Sequence, residues 1–128
     1  MAACQAVMAW HAAGVLHLDL KPANIATTAD GDVVVLDAGI SRFTTDGSAM
    51  LCGAVGTPGY MAPELRGDGR HLAVPECDVF SLGMTYRDAL DRWARTTCGS
   101  PVHAVRATAR WLGFNASGCF AQFVLQYR

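Results

Sequence analysis

Apolar residues recur along the start of this chain at a spacing that predicts a helix. Residues 2–13 are rich in alanine and other residues that tolerate helix, and Val7, Trp10 and His11 share one side at helical spacing. Gly14 follows as a natural helix stop. We therefore predict a first helix over residues 2–13 that buries one face.

A strand pair is predicted next. Two β-branched or apolar runs, 25–28 and 33–36, are separated by a short segment with an Asp-Gly pair, which is a strong hairpin signal. The pairing would bring Asp37, which follows the second run, back toward the loop that carries Asp19 and Asn24.

The chain then changes character. Residues 38–63 hold five glycines and two prolines, which predicts a long irregular loop of a kind that is uncommon unless it is functional or mobile. Helical periodicity resumes over residues 76–96, and we predict a long helix packed under the loop. The positions expected on its buried face are Val79, Leu82, Gly83, Tyr86, Leu90 and Trp93.

Composition and charge exclude several classes of protein. Hydrophobic residues make up 52% of the 128 residues and charged residues 16%, which predicts a buried core. The net charge of −1 without a basic run gives no sign of nucleic-acid binding. The five cysteines contain no CxxC pair, so neither a zinc site nor a disulfide framework is indicated. With no secretory signal and no apolar run that could span a bilayer, we expect a cytoplasmic location.

Candidate chemistry is concentrated in residues 17–24, "HLDLKPAN", which place a carboxylate, an ammonium and a carboxamide within six positions. This stretch resembles the catalytic loop of protein kinases. Three later stretches continue the resemblance in the right order: "VVVLDAG" resembles the strand and metal-binding turn, "GTPGYMAPE" the end of the activation segment, and "DVFSLG" the start of the central helix. The resemblance covers residues 2–93, and the ordered set is far more specific than any single motif.

The resemblance implies a role for four side chains. Asp19 and Lys21 would be the catalytic residues, with Asp19 accepting or orienting the proton of the attacking hydroxyl and Lys21 placing its charge near the transferred phosphoryl group of ATP. Asn24 and Asp37 would bind the cofactor through oxygen ligands to Mg²⁺. We expect Asp19, Asn24 and Asp37 to converge on one cleft.

The same motifs imply a serine/threonine protein kinase, which transfers the γ-phosphoryl group of ATP to Ser or Thr hydroxyls of a protein substrate. Lys21-Pro22 is similar to the serine/threonine class, and Thr57 resembles the threonine that contacts the catalytic loop. Asp78 is expected to be structural, either as a helix cap or as an anchor of the catalytic-loop backbone.

Two positions depart from the family pattern. Leu18 stands where most kinases have an arginine that pairs with a phosphate on the activation segment, so control by phosphorylation of Thr44 or Thr45 is in doubt. Ala38 replaces the usual phenylalanine of the metal-binding turn and is expected to leave a gap beside His17 unless a neighbouring side chain fills it. We assign His17 to the core.

The resemblance implies a mainly α-helical fold with a small β-hairpin, similar to the C-terminal lobe of a protein kinase. Only 18 residues precede Asp19, so we expect the small lobe to be absent and ATP binding by this chain alone to be weak. We assign residues 1–95 to a partial kinase domain and leave 96–128 unassigned. The alternatives are a non-catalytic kinase-like binding module and a truncated gene fragment.

Less is predicted for the C-terminal third. Residues 104–112 could form a short helix, and 119–127 are an apolar segment of uncertain type. By the resemblance, Glu64 pairs with a downstream arginine, and the sequence does not choose among Arg106, Arg110 and others.

Overall fold

The computed structural model describes residues 2–96, and within them the chain forms two helices and six short strands. The helices are α1 (Ala2–Ala12) and α2 (Pro75–Thr96). The strands are β1 (Val15–Leu16), β2 (Ile25–Thr27), β3 (Val33–Val35), β4 (Arg42–Phe43), β5 (Ala49–Cys52) and β6 (Arg70–Ala73). Single 3₁₀ turns occupy Pro22–Asn24 and Pro63–Leu65.

The predicted helices and hairpin are confirmed. The first helix ends at Ala12, one residue before the predicted end, and α2 begins at Pro75, one residue before the predicted start. Proline is well suited to the first helical position because its missing N–H has no partner there in any case. In the hairpin, Ile25 pairs with Val35 and Thr27 with Val33. The predictions for 104–112, 119–127, Arg106 and Arg110 lie outside the described residues.

The prediction of one irregular loop over residues 38–63 was wrong at two places. Strand β4 pairs with β1, and strand β5 pairs with β6, so the described residues form three two-stranded antiparallel sheets instead of one hairpin. Both extra partners lie far away along the chain. No two-residue turn joins either pair, and a local turn signal is what made the β2–β3 hairpin predictable.

Two apolar clusters form the core, and the catalytic-loop stretch contributes residues to both. The first cluster brings together α1, the β2–β3 hairpin and the middle of α2, and its buried members are Ala3, Cys4, Val7, Leu20, Ile25 and Leu82. The second cluster joins β1, β5, β6 and the start of α2, and its buried members are Leu16, Leu18, Leu51, Met61, Ala62, Leu65, Ala73 and Cys77. Residues 16–20 therefore pass from one cluster to the other.

Helix α2 does not bury quite the face that was predicted for it. Gly83 is exposed, whereas two hydroxyl residues, Ser81 and Thr85, are buried together with Leu82. Their hydroxyls donate to backbone carbonyls four residues earlier, at 2.9 Å each, so burial leaves neither hydroxyl unsatisfied. The predicted face is confirmed at Leu82, with Val79 and Tyr86 packed against the first cluster, and is wrong at Gly83. The buried face is partly polar, and apolar periodicity does not identify its two hydroxyl residues.

None of the helices in the described part of the chain has both the length and the apolar character that a bilayer span requires.

Candidate active site

The backbone of residues 17 and 18 is fixed by a carboxylate from α2. Asp78 is fully buried, and its two oxygens accept hydrogen bonds from the N–H groups of His17, at 2.8 Å, and Leu18, at 2.7 Å. The Nε2 atom of His11 in α1 also lies 2.8 Å from the carboxylate. Of the two structural roles considered for Asp78, the structure shows the anchor of the catalytic-loop backbone.

His17 lies in the core, as predicted. Its side chain is 1% exposed and its ring contacts that of Trp10, with centroids 4.9 Å apart. Nε2 lies 3.0 Å from the Leu36 carbonyl, and Nδ1 accepts the N–H of Asp19 at 3.2 Å. This pattern assigns the proton to Nε2. His17 thus links β1 to the end of β3 and to Asp19, the predicted catalytic residue.

Asp19, Lys21 and Thr57 form a closed triangle of hydrogen bonds. The Lys21 ammonium donates to Asp19 Oδ2 at 2.7 Å and to Thr57 Oγ1 at 2.8 Å, while the Thr57 hydroxyl donates to Asp19 Oδ1 at 2.6 Å. The side chains of Lys21 and Asp19 keep 26% and 12% of their surface exposed. The carboxylate is therefore paired on both oxygens and still accessible, and the predicted contact of Thr57 with this loop is confirmed.

Asn24 joins the same group through its side-chain amide. Its Nδ2 donates to the Asp19 carbonyl at 2.9 Å and to Asp19 Oδ2 at 3.2 Å. Pro22 starts the 3₁₀ turn that ends at Asn24, which turns this side chain back over the residues that precede it. With Nδ2 occupied on this side, the amide oxygen of Asn24 points away from Asp19.

The neighbours of Asp19 keep it ionised. Burial by itself raises the pKa of this carboxyl, but the hydrogen bonds from Lys21 and Thr57 and the positive charge of Lys21 outweigh it, so that the pKa lies below its ordinary value. At neutral pH the side chain is therefore an acceptor of hydrogen bonds and of protons.

Asp37 is placed by its neighbours and does not bond to Asp19. It adopts a left-handed backbone conformation with φ 64, which aspartate tolerates better than most residues, and its Oδ1 accepts the N–H of Gly39 at 3.0 Å. The preceding residue, Leu36, donates its N–H to the Asn24 carbonyl at 2.8 Å. The hairpin thus brings the start of this turn next to Asn24, and the Asp37 side chain is exposed.

Among residues 2–96, no three His, Cys, Asp or Glu side chains come together in a group that could hold a metal ion. Hydrogen bonding brings Asp19 and Asn24 together, and the convergence of Asp37 on the same cleft stays a prediction. The oxygens that the resemblance assigns to Mg²⁺, those of Asn24 and Asp37, are of the hard type that this cation prefers.

The end of the activation segment is attached to α2 by two contacts that the sequence did not predict. The Cys77 thiol donates to Glu64 Oε1 at 3.4 Å, and the Tyr60 hydroxyl donates to Asp88 Oδ2 at 3.0 Å. Burial, helped by the carboxylate of Glu64, raises the pKa of the Cys77 thiol to about 11. No residue spacing identifies such a thiol–carboxylate pair, since its members lie on different elements.

Comparison with known proteins gives consistent results. The family model described as protein kinase domain matches residues 1–94. The chain is 38% identical over 102 residues to the serine/threonine-protein kinase AfsK of Streptomyces griseus, an alignment that covers 79% of this chain and 12% of the relative. It is 38% identical over 104 residues to PknB of Mycobacterium tuberculosis, covering 78% and 16%, and 40% identical over 81 residues to PknL of the same species, covering 62% and 20%. The matched region thus spans at most a fifth of these serine/threonine-protein kinases.

Proposed function

The chain belongs to the protein kinase family, and on that basis we propose that it is the catalytic-loop portion of a serine/threonine protein kinase domain. The reaction is transfer of the γ-phosphoryl group of ATP to a Ser or Thr hydroxyl of a protein. Residues 1–95 form the partial domain in this proposal and correspond to its C-terminal lobe, while 96–128 carry no assignment. The observation that carries the proposal is the hydrogen-bonded triangle of Asp19, Lys21 and Thr57.

The acceptor capacity of Asp19 supports its role at the substrate hydroxyl. An ionised carboxylate accepts about four hydrogen bonds, and three of these positions are taken by Lys21, Thr57 and Asn24. The backbone N–H of Thr57 also bonds to this carboxylate, so in the proposal the substrate hydroxyl approaches the part of the side chain that is still exposed. Asp19 thus holds the hydroxyl with its proton turned toward the carboxylate and its oxygen free to attack.

The proposed reaction balances without further groups from the protein. The hydroxyl oxygen forms a bond to the γ-phosphorus, the bond from that phosphorus to the bridging oxygen breaks, and ADP leaves with the electron pair. The hydroxyl proton passes to Asp19. The Lys21 ammonium, 2.7 Å from Asp19 Oδ2, places positive charge beside the point where the phosphoryl oxygens gather negative charge.

The donor set of Asn24 and Asp37 fits a hard divalent cation. The Asn24 amide nitrogen is engaged by Asp19, which leaves its oxygen for a ligand. One Asp37 oxygen binds Gly39, which leaves the other for the same purpose. In the proposal these two side chains hold Mg²⁺, which when bound neutralises phosphate charge.

Phosphoryl transfer by the 128-residue chain is the test. The chain is incubated with Mg²⁺, γ-labelled ATP and peptides that carry Ser, Thr or Tyr as their acceptor, and label transfer is followed. Because ATP binding and turnover by the isolated chain are expected to be poor, we expect slow label transfer to the Ser and Thr peptides. Asp19→Asn should lower that rate more than about 100-fold, since positioned proton acceptors contribute roughly 10²–10⁴-fold.

Asp30→Asn provides the matched control, because this aspartate is exposed in the hairpin turn and lies outside the triangle. It should transfer label at the wild-type rate. Label on Tyr peptides alone would contradict the substrate class, and transfer that survives Asp19→Asn would contradict the assigned catalytic residue. A thermal shift with Mg²⁺ and ATP that is unchanged by Asp37→Ala would contradict the metal assignment.

A further inference from the structure

Thr57 reaches Asp19 from a part of the chain that is closed on itself. Strands β5 and β6 pair over four residues, from Ala49 with Ala73 to Cys52 with Arg70. The N–H of Gly53 continues this ladder by donating to the Gly69 carbonyl at 2.8 Å. The ladder therefore ties together the two ends of residues 53–69, which we call the closed loop, and Thr57 lies within it.

The inner face of the ladder lies in the same apolar cluster as Leu18. Leu51 of β5 is buried and Met50 and Cys52 beside it are exposed, as expected for alternation along a strand. Leu51 belongs to the second apolar cluster together with Leu18, which is 3% exposed, and with Met61 of the closed loop. The Leu18 side chain thus shares one cluster with the ladder and with the closed loop itself.

The backbone of Leu18 meets the closed loop a second time. Gly56, with φ 114, passes so close that a Cβ added there would lie 2.6 Å from the Leu18 carbonyl oxygen. Leu18 is itself in a left-handed conformation, with φ 67, and its N–H is held by Asp78 at 2.7 Å. The next residue after Gly56 is Thr57, so this close approach sets where its hydroxyl lies.

We propose that Leu18 is the positioning residue that holds Thr57 against Asp19 and Lys21, acting through the second cluster and the β5–β6 ladder. The Leu18 side chain packs in the cluster that holds the ladder, and its carbonyl oxygen limits how closely the closed loop can approach. Because Leu18 precedes Asp19 directly in the chain, both contacts fix the position of Thr57 relative to Asp19. This role rests on the proposed function for its catalytic meaning, but the placement of Thr57 is measurable without any activity.

Hydrogen exchange followed by mass spectrometry reads the placement. Leu18→Ala removes the anchor, and amides of residues 49–60 should then exchange at least about tenfold faster, while the hairpin at 25–35 changes less. Leu82→Ala is the matched control, because Leu82 is a buried leucine of the first cluster. It should show the reverse pattern, with the larger change in the hairpin. Leu18→Met, which keeps the volume, should restore the wild-type exchange.

A disulfide across the ladder provides a rescue. Cys52 is a free exposed cysteine directly opposite Arg70. Because Gly53 and Gly69 form a hydrogen-bonded pair, this neighbouring pair is a non-hydrogen-bonded one, in which the Cα atoms come close enough for a disulfide. Oxidised Leu18→Ala/Arg70→Cys should regain slow exchange over residues 49–60 and lose it again on reduction. Adding Cys52→Ser abolishes the rescue.

The proposal is overturned if Leu18→Ala and Leu82→Ala give the same exchange pattern, or if the closed disulfide leaves residues 49–60 in fast exchange. In the transfer assay, Leu18→Ala should lower kcat by roughly 10–100-fold with little change in KM for ATP, and oxidation of the double variant should restore it. A rise of similar size in KM for ATP, with kcat unchanged, would also overturn the proposal. Absence of transfer from every variant, wild type included, would contradict the proposed function alone, because the exchange result stands without it.

Discussion

Asp78→Asn is the substitution that most directly tests how the catalytic loop is supported. The asparagine keeps the shape of the side chain but replaces one acceptor oxygen with an NH₂ group. Asp78 accepts the N–H groups of both His17 and Leu18, one on each oxygen, and is fully buried. Whichever way the amide is turned, its NH₂ group faces one of the two backbone donors, which then has no acceptor.

The magnitude follows from these two bonds. A buried donor left without a partner costs about 1–3 kcal/mol, and conversion of the other bond from a charged to a neutral acceptor costs about 1 kcal/mol more. We therefore expect the free energy of unfolding to fall by about 2–4 kcal/mol. Urea unfolding of the 128-residue chain, followed by far-ultraviolet circular dichroism, measures this directly.

Asp30→Asn makes the same chemical change at an exposed turn and should shift the free energy of unfolding by less than about 0.5 kcal/mol. A loss in Asp78→Asn below about 1 kcal/mol, or equal to that of the control, would refute the reasoning. It would mean that the two backbone donors find other acceptors, and that α2 does not hold the loop through this residue.

Three further predictions follow from single contacts. Gly56→Ala should lower the free energy of unfolding in urea by about 1–3 kcal/mol, because φ is positive there and the new Cβ would lie 2.6 Å from a backbone oxygen. Gly59→Ala, which has open space around it, should change the free energy little. Equal losses in the two variants would contradict the close approach. Alkylation at pH 8 followed by peptide mass spectrometry should modify exposed Cys52 well before Cys77, whose pKa is raised to about 11 by burial; equal rates would contradict that burial. The pKa of Asp19 is lowered in the folded chain, so its ionised form stabilises the fold at pH values above its ordinary pKa of 3.8, and this stability is lost as the pH falls through the lowered pKa. The difference in the free energy of unfolding between wild type and Asp19→Asn, measured in urea, should therefore shrink below about pH 4. A difference that stays constant with pH would contradict the pKa shift.

The sequence predicted those elements whose signals are local. The hairpin was predictable because its turn lies between its strands, and both helices were predictable from periodicity, helped at the end of α1 by Gly14. Strands β4 and β5 were not predictable in this way. Paired residues of β4 and β1 lie at least 26 positions apart in the sequence, and those of β5 and β6 at least 18. A stretch of glycines and hydroxyl residues gives no sign of such a distant partner.

The candidate site shows the same division. Asp19, Lys21 and Asn24 were grouped by a motif, and the structure brings them into hydrogen-bond contact. Trp10 of α1 contacts the His17 ring, whereas the gap expected beside that ring from the alanine at position 38 stays a prediction. The motif gives no information on such a neighbour, since it lies on another element and contributes no chemistry of its own.

The polar stripe of α2 explains why the helix and the catalytic loop belong together. Asp78 and Thr85 lie seven residues apart, two helical turns on one face, and they contact opposite ends of the loop. Asp78 accepts the N–H groups at its start, while the Thr85 hydroxyl, bonded mainly to its own helix, lies 3.5 Å from the Leu20 carbonyl at its end. An apolar stripe in these positions would bury the same area but would leave the loop's backbone groups unsatisfied. The residues that break the apolar periodicity of α2 are thus those that fix Asp19 between its neighbours, and the helix is polar where the loop requires it.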